Sequence, residues 1–302
     1  MNWITIALAS AAISGFINIT DKTVIHQFSR SPLTLPFLIG IAQTSLSIVI
    51  LLATGIPIEQ QLPSVLYALL SGILFGLSGM ILLTVLFSQE VSRTIPVSQS
   101  APIFGAILAA ILLNEVINVV QWFGIILTVI GSMVLSLRKE LGVERIYLHK
   151  SFYLLMFSAF LFGAATVVGK SAVDILPVLT THGLRMFALG TIMLGFALRG
   201  PSLADFRLFI TEKKRALLLV GMNEFCLATV GTVLFLVALS YGPASLVLAL
   251  YGTRALFVVV YSTCLSYLVK GVIGEQLSVK TVVIKGISTC TIVSGVAAIT
   301  LG

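Results

Sequence analysis

The chain has 302 residues, of which 58% are hydrophobic and only 10% are charged, against about 25% charged residues in an ordinary soluble domain. A soluble core cannot hide so much apolar surface, so the composition excludes a soluble globular protein and predicts an integral membrane protein. The net charge of +7 does not indicate nucleic-acid binding, because the basic residues lie between apolar segments and not in one patch.

Ten apolar segments follow one another along the chain, and a membrane-spanning helix needs about 20 residues. A polar linker, residues 138–150, separates the first five from the last five. Gly242 and Pro243 divide one long apolar stretch, since proline removes a helix donor and glycine loosens the chain. We therefore predict an all-α membrane protein with two five-helix domains, residues 1–137 and 151–302. The predicted spans are 3–20, 32–54, 64–87, 95–113, 118–137, 151–170, 177–198, 216–240, 244–269 and 281–301.

The two halves contain a weak internal repeat. The segment Gly15–Lys22 aligns without a gap with Gly163–Lys170, and in each a glycine precedes a lysine by seven residues, about two helical turns. Because five spans are an odd number, the second half would enter the membrane in the opposite sense to the first. This inverted-repeat organisation is typical of secondary transporters, whose binding site lies near the midplane between the repeats.

Lysine and arginine are distributed unequally between the two sides of this layout. Nearly all those outside the spans fall on one side, including Arg93, Arg138 and Arg207, whereas only Lys170 falls on the other. Because basic loops stay in the cytoplasm, the distribution predicts that both termini lie outside, with the cell membrane as the location.

One segment of the first half resembles a known family. The residues PVSQSAPIFGAILAAILLNEVINVVQWFGIILTVIG, from Pro96 to Gly131, are similar to the signature of the fourth and fifth spans in the EamA-like branch of the drug/metabolite transporter superfamily. In that pattern a proline lies within the fourth span (Pro102) and a glutamate closes it (Glu115). Glycines follow nine and sixteen residues after the glutamate (Gly124 and Gly131). The resemblance implies ten transmembrane helices in two EamA-like halves.

The second half departs from this pattern. Arg254 stands where the alignment would place the proline, and the spacings from Glu275 to the following glycines are longer. Family members also usually have both termini in the cytoplasm, the reverse of the charge-based prediction. The start of the chain is similar to the sugar-phosphate and nucleotide-sugar translocators of the same superfamily, through Asn18–Lys22 and Pro32–Pro36.

Two arginines lie within predicted spans, where a charge costs roughly 2.5–3.5 kcal/mol on insertion scales and so needs a partner, water or a function. Arg185 lies in the middle of the seventh span. Its planar guanidinium is suited to a carboxylate or phosphate of a substrate. Alternatively, it forms an internal salt bridge with Glu224 that fixes helix packing. Arg254 has two similar interpretations. It contacts the substrate or forms part of a gate, or it forms a structural ion pair or extends its charge to the membrane surface.

Glu224 is the only acid well inside an apolar segment. We interpret it as a candidate for proton coupling, since a buried carboxylate can take up and release a proton during transport. Lys22 and Lys170 would lie at opposite mouths of a central cavity if the inverted alignment holds. The alternative for both lysines is ordinary snorkelling at span ends.

Uncharged polar side chains within the spans are candidates for the cavity lining: Gln43, Gln99, Asn223 and Tyr251. Each of them could instead join helices through an interhelical hydrogen bond. Pro96 and Pro102 could break helices and expose backbone groups to a substrate. His182 falls near a span end, and we expect it at the surface.

The sequence therefore predicts a secondary active transporter that moves small polar metabolites, such as amino acids or related organic anions, by alternating access. Its partners would be membrane lipids, the substrate, and either protons or a counter-substrate. The alternative within the superfamily is a sugar-phosphate or nucleotide-sugar antiporter. An intramembrane enzyme or a non-transporting scaffold or sensor is a weaker interpretation, because the sequence has no HExxH motif, no acidic pair within a span and no nucleophile–base pair. The three cysteines lack metal-ligand spacing, and we expect no metal and no cofactor.

Overall fold

The computed structural model describes residues 2–27, 31–88, 97–136, 150–198, 200–211, 214–268 and 279–302, and over these residues the chain is helical and contains no strand. The elements in chain order are α1 (Trp3–Gln27), α2 (Thr34–Thr54), α3 (Ile58–Ser88), α4 (Ala101–Leu112), α5 (Val119–Ser136), α6 (Lys150–Val173), α7 (Val178–Ala197), α8 (Gly200–Thr211), α9 (Lys214–Gly221), the π-helix π1 (Met222–Ala228), α10 (Thr229–Tyr241), α11 (Ala244–Tyr251), α12 (Arg254–Leu268) and α13 (Val279–Leu301).

Six segments of these helices are long and apolar enough to cross a membrane. They are Trp3–Ile25, Thr34–Thr54, Gln61–Phe87, Ser151–Val173, Leu217–Tyr241 and Ala244–Tyr261. Three further apolar helices are shorter: Ala101–Leu112, Val119–Val134 and Gly286–Leu301. The prediction of an all-helical, multi-pass integral membrane protein is confirmed at this level.

Several elements begin or end differently from the predicted spans. The helix expected over 95–113 begins as α4 at Ala101, with Pro102 in its first turn, where a proline's missing N–H removes no helical hydrogen bond. The span predicted over 244–269 divides at Gly252 and Thr253 into α11 and α12. The span predicted over 216–240 contains the seven-residue π-helix π1, a form that occurs frequently at functional sites.

Each half of the chain packs mainly against the other half. Helix α1 contacts α10, α2 contacts α7, α3 contacts α6, α4 contacts α11, and α5 contacts α13. The largest buried apolar cluster joins these elements, with Leu236, Leu239 and Leu248 among its buried members. The space enclosed by α3, α6, α7, α10 and α11 is therefore the centre of the bundle.

The two glycines that align in the internal repeat both lie at close helix crossings. A Cβ added at Gly163 in α6 would lie 2.8 Å from the backbone nitrogen of Gly105 in α4. A Cβ added at Gly15 in α1 would lie 3.1 Å from the Arg254 carbonyl oxygen and 2.8 Å from the Phe257 Cβ, both in α12. Only glycine allows these approaches, so the repeated glycines hold equivalent crossings in the two halves.

The glutamate of the sequence motif caps a helix of the opposite half. Glu115 Oε1 accepts a hydrogen bond from the Ala244 backbone N–H over 2.6 Å. Its Oε2 accepts from the Ser245 backbone N–H over 3.1 Å and from Ser245 Oγ over 2.6 Å. The first N–H groups of a helix have no partner within the helix and carry a partial positive charge. Glu115 therefore stabilises the start of α11 directly after the break at Gly242 and Pro243.

The two motif glycines have a packing role at the last helix. A Cβ at Gly124 would lie 2.8 Å from the Gly295 carbonyl oxygen, and one at Gly131 would lie 2.7 Å from the Ile292 side chain. Both neighbours belong to α13. The glycine spacing of the motif therefore sets the contact between α5 and α13.

Candidate functional site

Arg185 occupies the centre of the bundle. It lies on α7, its side chain is only 1% exposed, and Cζ lies 4.7 Å from the centroid of the Phe75 ring and 6.0 Å from that of Phe235. None of its three guanidinium nitrogens has a hydrogen-bond partner within the described part of the chain. A buried guanidinium with unused donors is costly. The arrangement suits a group that receives an anion.

A second arginine lies against two other aromatic rings. Arg254, the first residue of α12, places Cζ 5.0 Å from the Tyr251 centroid and 5.6 Å from the Phe162 centroid. Both distances are within the range for a cation–π interaction. Each arginine therefore lies against two aromatic rings.

The rings form a continuous group that we call the aromatic cluster: Phe75, Phe162, Phe235 and Tyr251. Centroid distances are 5.4 Å between Phe75 and Phe162, 5.9 Å between Phe162 and Tyr251, and 4.8 Å between Phe235 and Tyr251. The four residues come from α3, α6, α10 and α11. Both halves of the chain thus contribute to the surroundings of the two arginines.

The aromatic cluster encloses very little free space. A cavity of about 10 Å³ is lined by Gln99, Phe162, Tyr251 and Arg254, among others, and this is about the volume needed for a single water molecule. Gln99 is buried beside it. This cavity is too small to hold a metabolite.

A larger cavity lies at the helix ends. It measures about 390 Å³ and is lined by the loop after α2 and by Gln61, Pro177 and Thr180. Thr180 belongs to α7 and precedes Arg185 by five residues, a rise of about 7 Å along a helix. The cavity therefore lies at the end of α7 that is nearer to Arg185.

The salt bridge between Arg185 and Glu224 that the sequence left open is not formed. Glu224 lies on π1 and is 3% exposed. Its Oε2 accepts a hydrogen bond from Gln43 Nε2 over 3.1 Å, and its Oε1 accepts from Asn223 Nδ2 over 3.1 Å. Neutral amides therefore hold this carboxylate, and Arg185 has no acidic partner among the residues that the structure describes.

Asn223 also binds a second carboxylate. Its Nδ2 donates to Asp21 Oδ1 over 3.0 Å, and its Oδ1 accepts from Thr20 Oγ1 over 2.8 Å. The sequence shows no acidic pair within one span, but the packing of α1 against π1 brings acids from two spans to one amide. We call Asp21, Gln43, Asn223 and Glu224 the carboxylate–amide cluster.

Lys170 does not lie free at a cavity mouth. Its Nζ donates to Asp174 Oδ1 over 2.6 Å and to the Leu239 carbonyl oxygen over 2.8 Å. It therefore joins the end of α6 to the last turn of α10, where a cation interacts favourably with the helix carbonyl groups. The side chain of Lys22 and the whole of Pro96 lie outside the described residues.

His182 was expected at the surface, and that prediction is wrong. The side chain is fully buried, one turn before Arg185, and its Nδ1 lies 3.3 Å from Thr232 Oγ1. Its Nε2 has no hydrogen-bond partner within the described part of the chain. The reason is tertiary, because α7 is covered by α2, α3 and α10 at this level.

Comparison with known proteins identifies a family that the first half of the chain resembles. Residues 1–137 match the EamA-like transporter family. The first half of the chain is therefore similar to the EamA-like transporters. This family is part of the drug/metabolite transporter superfamily, so the recognition made from Pro102, Glu115, Gly124 and Gly131 is confirmed.

Solved structures agree with the fold over the full length. One crystal structure matches 100% of this chain and 96% of its own chain, with a TM-score of 0.71 and 14% sequence identity. At this identity the similarity concerns the fold, including that of the second half. No curated protein sequence matches the chain.

Proposed function

We propose that this EamA-like protein is a secondary active carrier of small organic anions or zwitterions that bear a carboxylate, such as amino acids, and that it is not an enzyme. The observation that supports this proposal is Arg185, which is buried at the centre of the bundle and whose guanidinium has no hydrogen-bond partner among the described residues. Arg185 anchors the carboxylate, and the aromatic cluster contacts the rest of the substrate. Arg254, Gln99 and Tyr251 complete the lining.

Free energy explains why an anion belongs at Arg185. An isolated buried charge carries a large desolvation penalty, which hydrogen-bonded pairing with an opposite charge offsets. The planar guanidinium matches a carboxylate with two parallel hydrogen bonds, which the point charge of a lysine cannot reproduce. A neutral sugar or an organic cation would leave the guanidinium unpaired.

The architecture that we propose is ten spans in two inverted repeats, residues 1–137 and 151–302, joined by the linker 138–150. The helix contacts support it. Helices α1 to α5 are spans one to five, and spans six to ten are α6, α7, π1–α10, α11–α12 and α13. The main contacts between helices of the two halves then join spans 1 and 8, 2 and 7, 3 and 6, 4 and 9, and 5 and 10. If each span is replaced by the corresponding span of the other half (1 by 6, 2 by 7, and so on), the same five pairs result. The equivalent crossings at Gly15 and Gly163 obey the same exchange.

Transport in this scheme proceeds by alternating access. The 390 Å³ cavity near Thr180 is one vestibule, and the small volume of the 10 Å³ cavity at Arg254 supports a site closed around its residues. Rocking of one repeat against the other opens the centre to each side in turn. Arg185 then meets the substrate from either side of the membrane.

A sugar-phosphate or nucleotide-sugar antiporter is the second candidate. The observation that favours it is the presence of two guanidinium groups, Arg185 and Arg254, against one aromatic cluster. A phosphate dianion can engage two arginines at once, and the rings can stack on a base.

Ligand stabilisation of the purified protein tests the proposal. Carboxylate-bearing amino acids and organic acids are expected to raise the unfolding temperature, since a ligand at a hundred times its dissociation constant stabilises the folded state by about 2.7 kcal/mol. The same compounds should then be taken up by proteoliposomes. Stabilisation by sugar phosphates or nucleotide sugars alone would favour the antiporter, and stabilisation by organic cations alone would contradict both.

Labelling of single cysteines tests the ten-span layout. The background protein has serine in place of its three free thiols, Cys226, Cys264 and Cys290. In this background Val116→Cys probes the loop after α4, and Arg207→Cys probes helix α8. Both positions are exposed. An impermeant maleimide on intact cells is expected to label position 116, and position 207 only after permeabilisation. Labelling of both from one side would contradict the layout, and the reverse pattern would invert the orientation that the basic residues predict.

A further inference from the structure

His182 is a buried polar side chain to which the proposed transport scheme gives no role. It lies on α7 and is fully buried, and its Nδ1 lies 3.3 Å from Thr232 Oγ1 on α10. The Thr232 hydroxyl donates its one hydrogen to the Ala228 carbonyl oxygen over 2.6 Å. The hydroxyl oxygen can therefore only accept from His182. In a neutral imidazole this places the hydrogen on Nδ1 and makes Nε2 an acceptor.

The Nε2 acceptor has no donor in the protein's described part. The atom is buried, and none of the described residues forms a hydrogen bond with it. A buried acceptor that is left unpaired costs the full desolvation penalty of the group. A substrate that carries an N–H or O–H group would satisfy this nitrogen.

The same two helices place His182 and Arg185 beside each other. They are three positions apart on α7, and residues at this spacing are neighbours on one helix face. Their contacts on α10, Thr232 and Phe235, are also three positions apart. Nε2 is at the outer end of a ring whose Nδ1 already contacts α10, so it lies between α7 and α10, as the guanidinium does. Arg185 is close enough to act electrostatically on the imidazole.

The two side chains have opposite hydrogen-bonding requirements. Arg185 presents buried donors and His182 presents a buried acceptor, and neither has a partner among the described residues. They therefore do not bond to each other. Cβ atoms three positions apart on a helix are separated by about 5–6 Å, a distance that one small molecule can bridge. A carboxylate with an N–H or O–H group on the adjacent carbon meets both requirements.

We propose that His182 determines substrate specificity by accepting a hydrogen bond from an ammonium or hydroxyl group on the carbon next to the carboxylate that Arg185 binds. This role rests on the proposed function and narrows its substrate class to α-amino and α-hydroxy acids. A carboxylic acid without that group would leave His182 Nε2 unpaired. A site built to hydrogen-bond a substrate OH or NH rejects the analogue that lacks it, because the buried polar group of the site then loses its partner.

Two matched series of acids test this specificity by ligand-induced thermal shift of the full-length protein in detergent. The first is alanine, lactate and propionate, and the second is phenylalanine, phenyllactate and phenylpropionate. Within a series only the group next to the carboxylate differs. We expect the amino acid or the hydroxy acid to bind at least about tenfold more tightly than the parent acid. The comparison of the amino acid with the hydroxy acid identifies the donor that the site takes.

Variants of α7 assign the preference to His182. His182→Leu should remove the preference by weakening the binding of the amino or hydroxy acid and not that of the parent acid. His182→Gln should restore part of it, because a glutamine side chain also offers a neutral acceptor. Thr181→Val is the control, since it removes a buried hydroxyl that donates within α7 to the Pro177 carbonyl oxygen. It should leave the preference unchanged.

The wild-type comparison decides the test if a variant does not fold. Equal affinity for the three acids within every series that binds would overturn the role of His182 and leave the proposed function in place. A loss in His182→Leu that is the same for all three acids would also overturn it, because that is the effect of a structural residue. If no acid of either series binds, the proposed function itself is contradicted, and the role of His182 with it.

Discussion

Arg185→Ala is expected to abolish substrate binding and transport while leaving the protein folded. Truncating one partner of a buried, hydrogen-bonded charge pair costs about 2–5 kcal/mol, which corresponds to at least about 30-fold in affinity. The ligand-free protein should lose little stability, because the substitution removes a buried charge that has no partner in the part of the chain that the structure describes. The measurements are ligand-induced thermal shift and uptake by proteoliposomes.

Two further variants make this result specific. Arg185→Lys keeps the charge but loses the planar fork, so it should restore only a small part of the affinity. Arg207→Ala removes an exposed arginine on α8 and should transport normally. Normal uptake by Arg185→Ala would exclude Arg185 from the site, and equal losses in the Arg185 and Arg207 variants would point to an effect of overall charge.

Gly72→Ala is expected to destabilise the protein and to displace Arg185. Gly72 lies on α3 where it crosses α7, and an added Cβ would overlap the Arg185 carbonyl oxygen and lie 2.8 Å from Ala188 Cβ. A backbone carbonyl in a packed helix cannot move aside as a flexible side chain can. Overpacking costs typically about 1–3 kcal/mol, and this contact falls at the upper end or above it. Thermal unfolding in detergent measures the loss.

Gly195→Ala is the matched control on the helix that Gly72 contacts. A Cβ at Gly195 meets no atom within 4 Å, so the change should be neutral or stabilise α7 by up to about 1 kcal/mol through helix propensity. Gly72→Ala should also weaken uptake, because spreading α3 from α7 moves Phe75 away from Arg185. Equal unfolding temperatures for the two variants would show that the crossing is looser than the structure indicates.

The candidate site was only partly predictable from the sequence. Arg185 and Glu224 could be selected because a charge in an apolar span is costly wherever it lies. The rings of the aromatic cluster could not, since the chain has 18 phenylalanines and nothing in the local pattern distinguishes three of them. Asp21 follows a span predicted to end at residue 20, and only the contact between α1 and π1 shows that it meets Asn223.

The pairing of charged residues was also beyond the sequence. Arg185 and Glu224 are opposite charges on the seventh and eighth predicted spans, so a salt bridge between them was a reasonable alternative. The structure instead directs Glu224 toward α1 and α2 and Arg185 toward the aromatic cluster. Which face of a helix meets which neighbour depends on helix rotation, and spacing along one chain does not specify the partner.

What the sequence by itself determined is the membrane class, the helical composition, the break at Gly242 and Pro243, and the EamA-like motif. These follow from local properties, because hydropathy over about 20 residues and the chemistry of proline and glycine act within one segment. Only the tertiary structure decided that Glu115 caps α11, that two arginines lie against one aromatic cluster, and that Asp21 and Glu224 meet at one amide. The physical reason is that these arrangements depend on how separate helices pack, and the Glu115 and Asp21 contacts join residues more than a hundred positions apart.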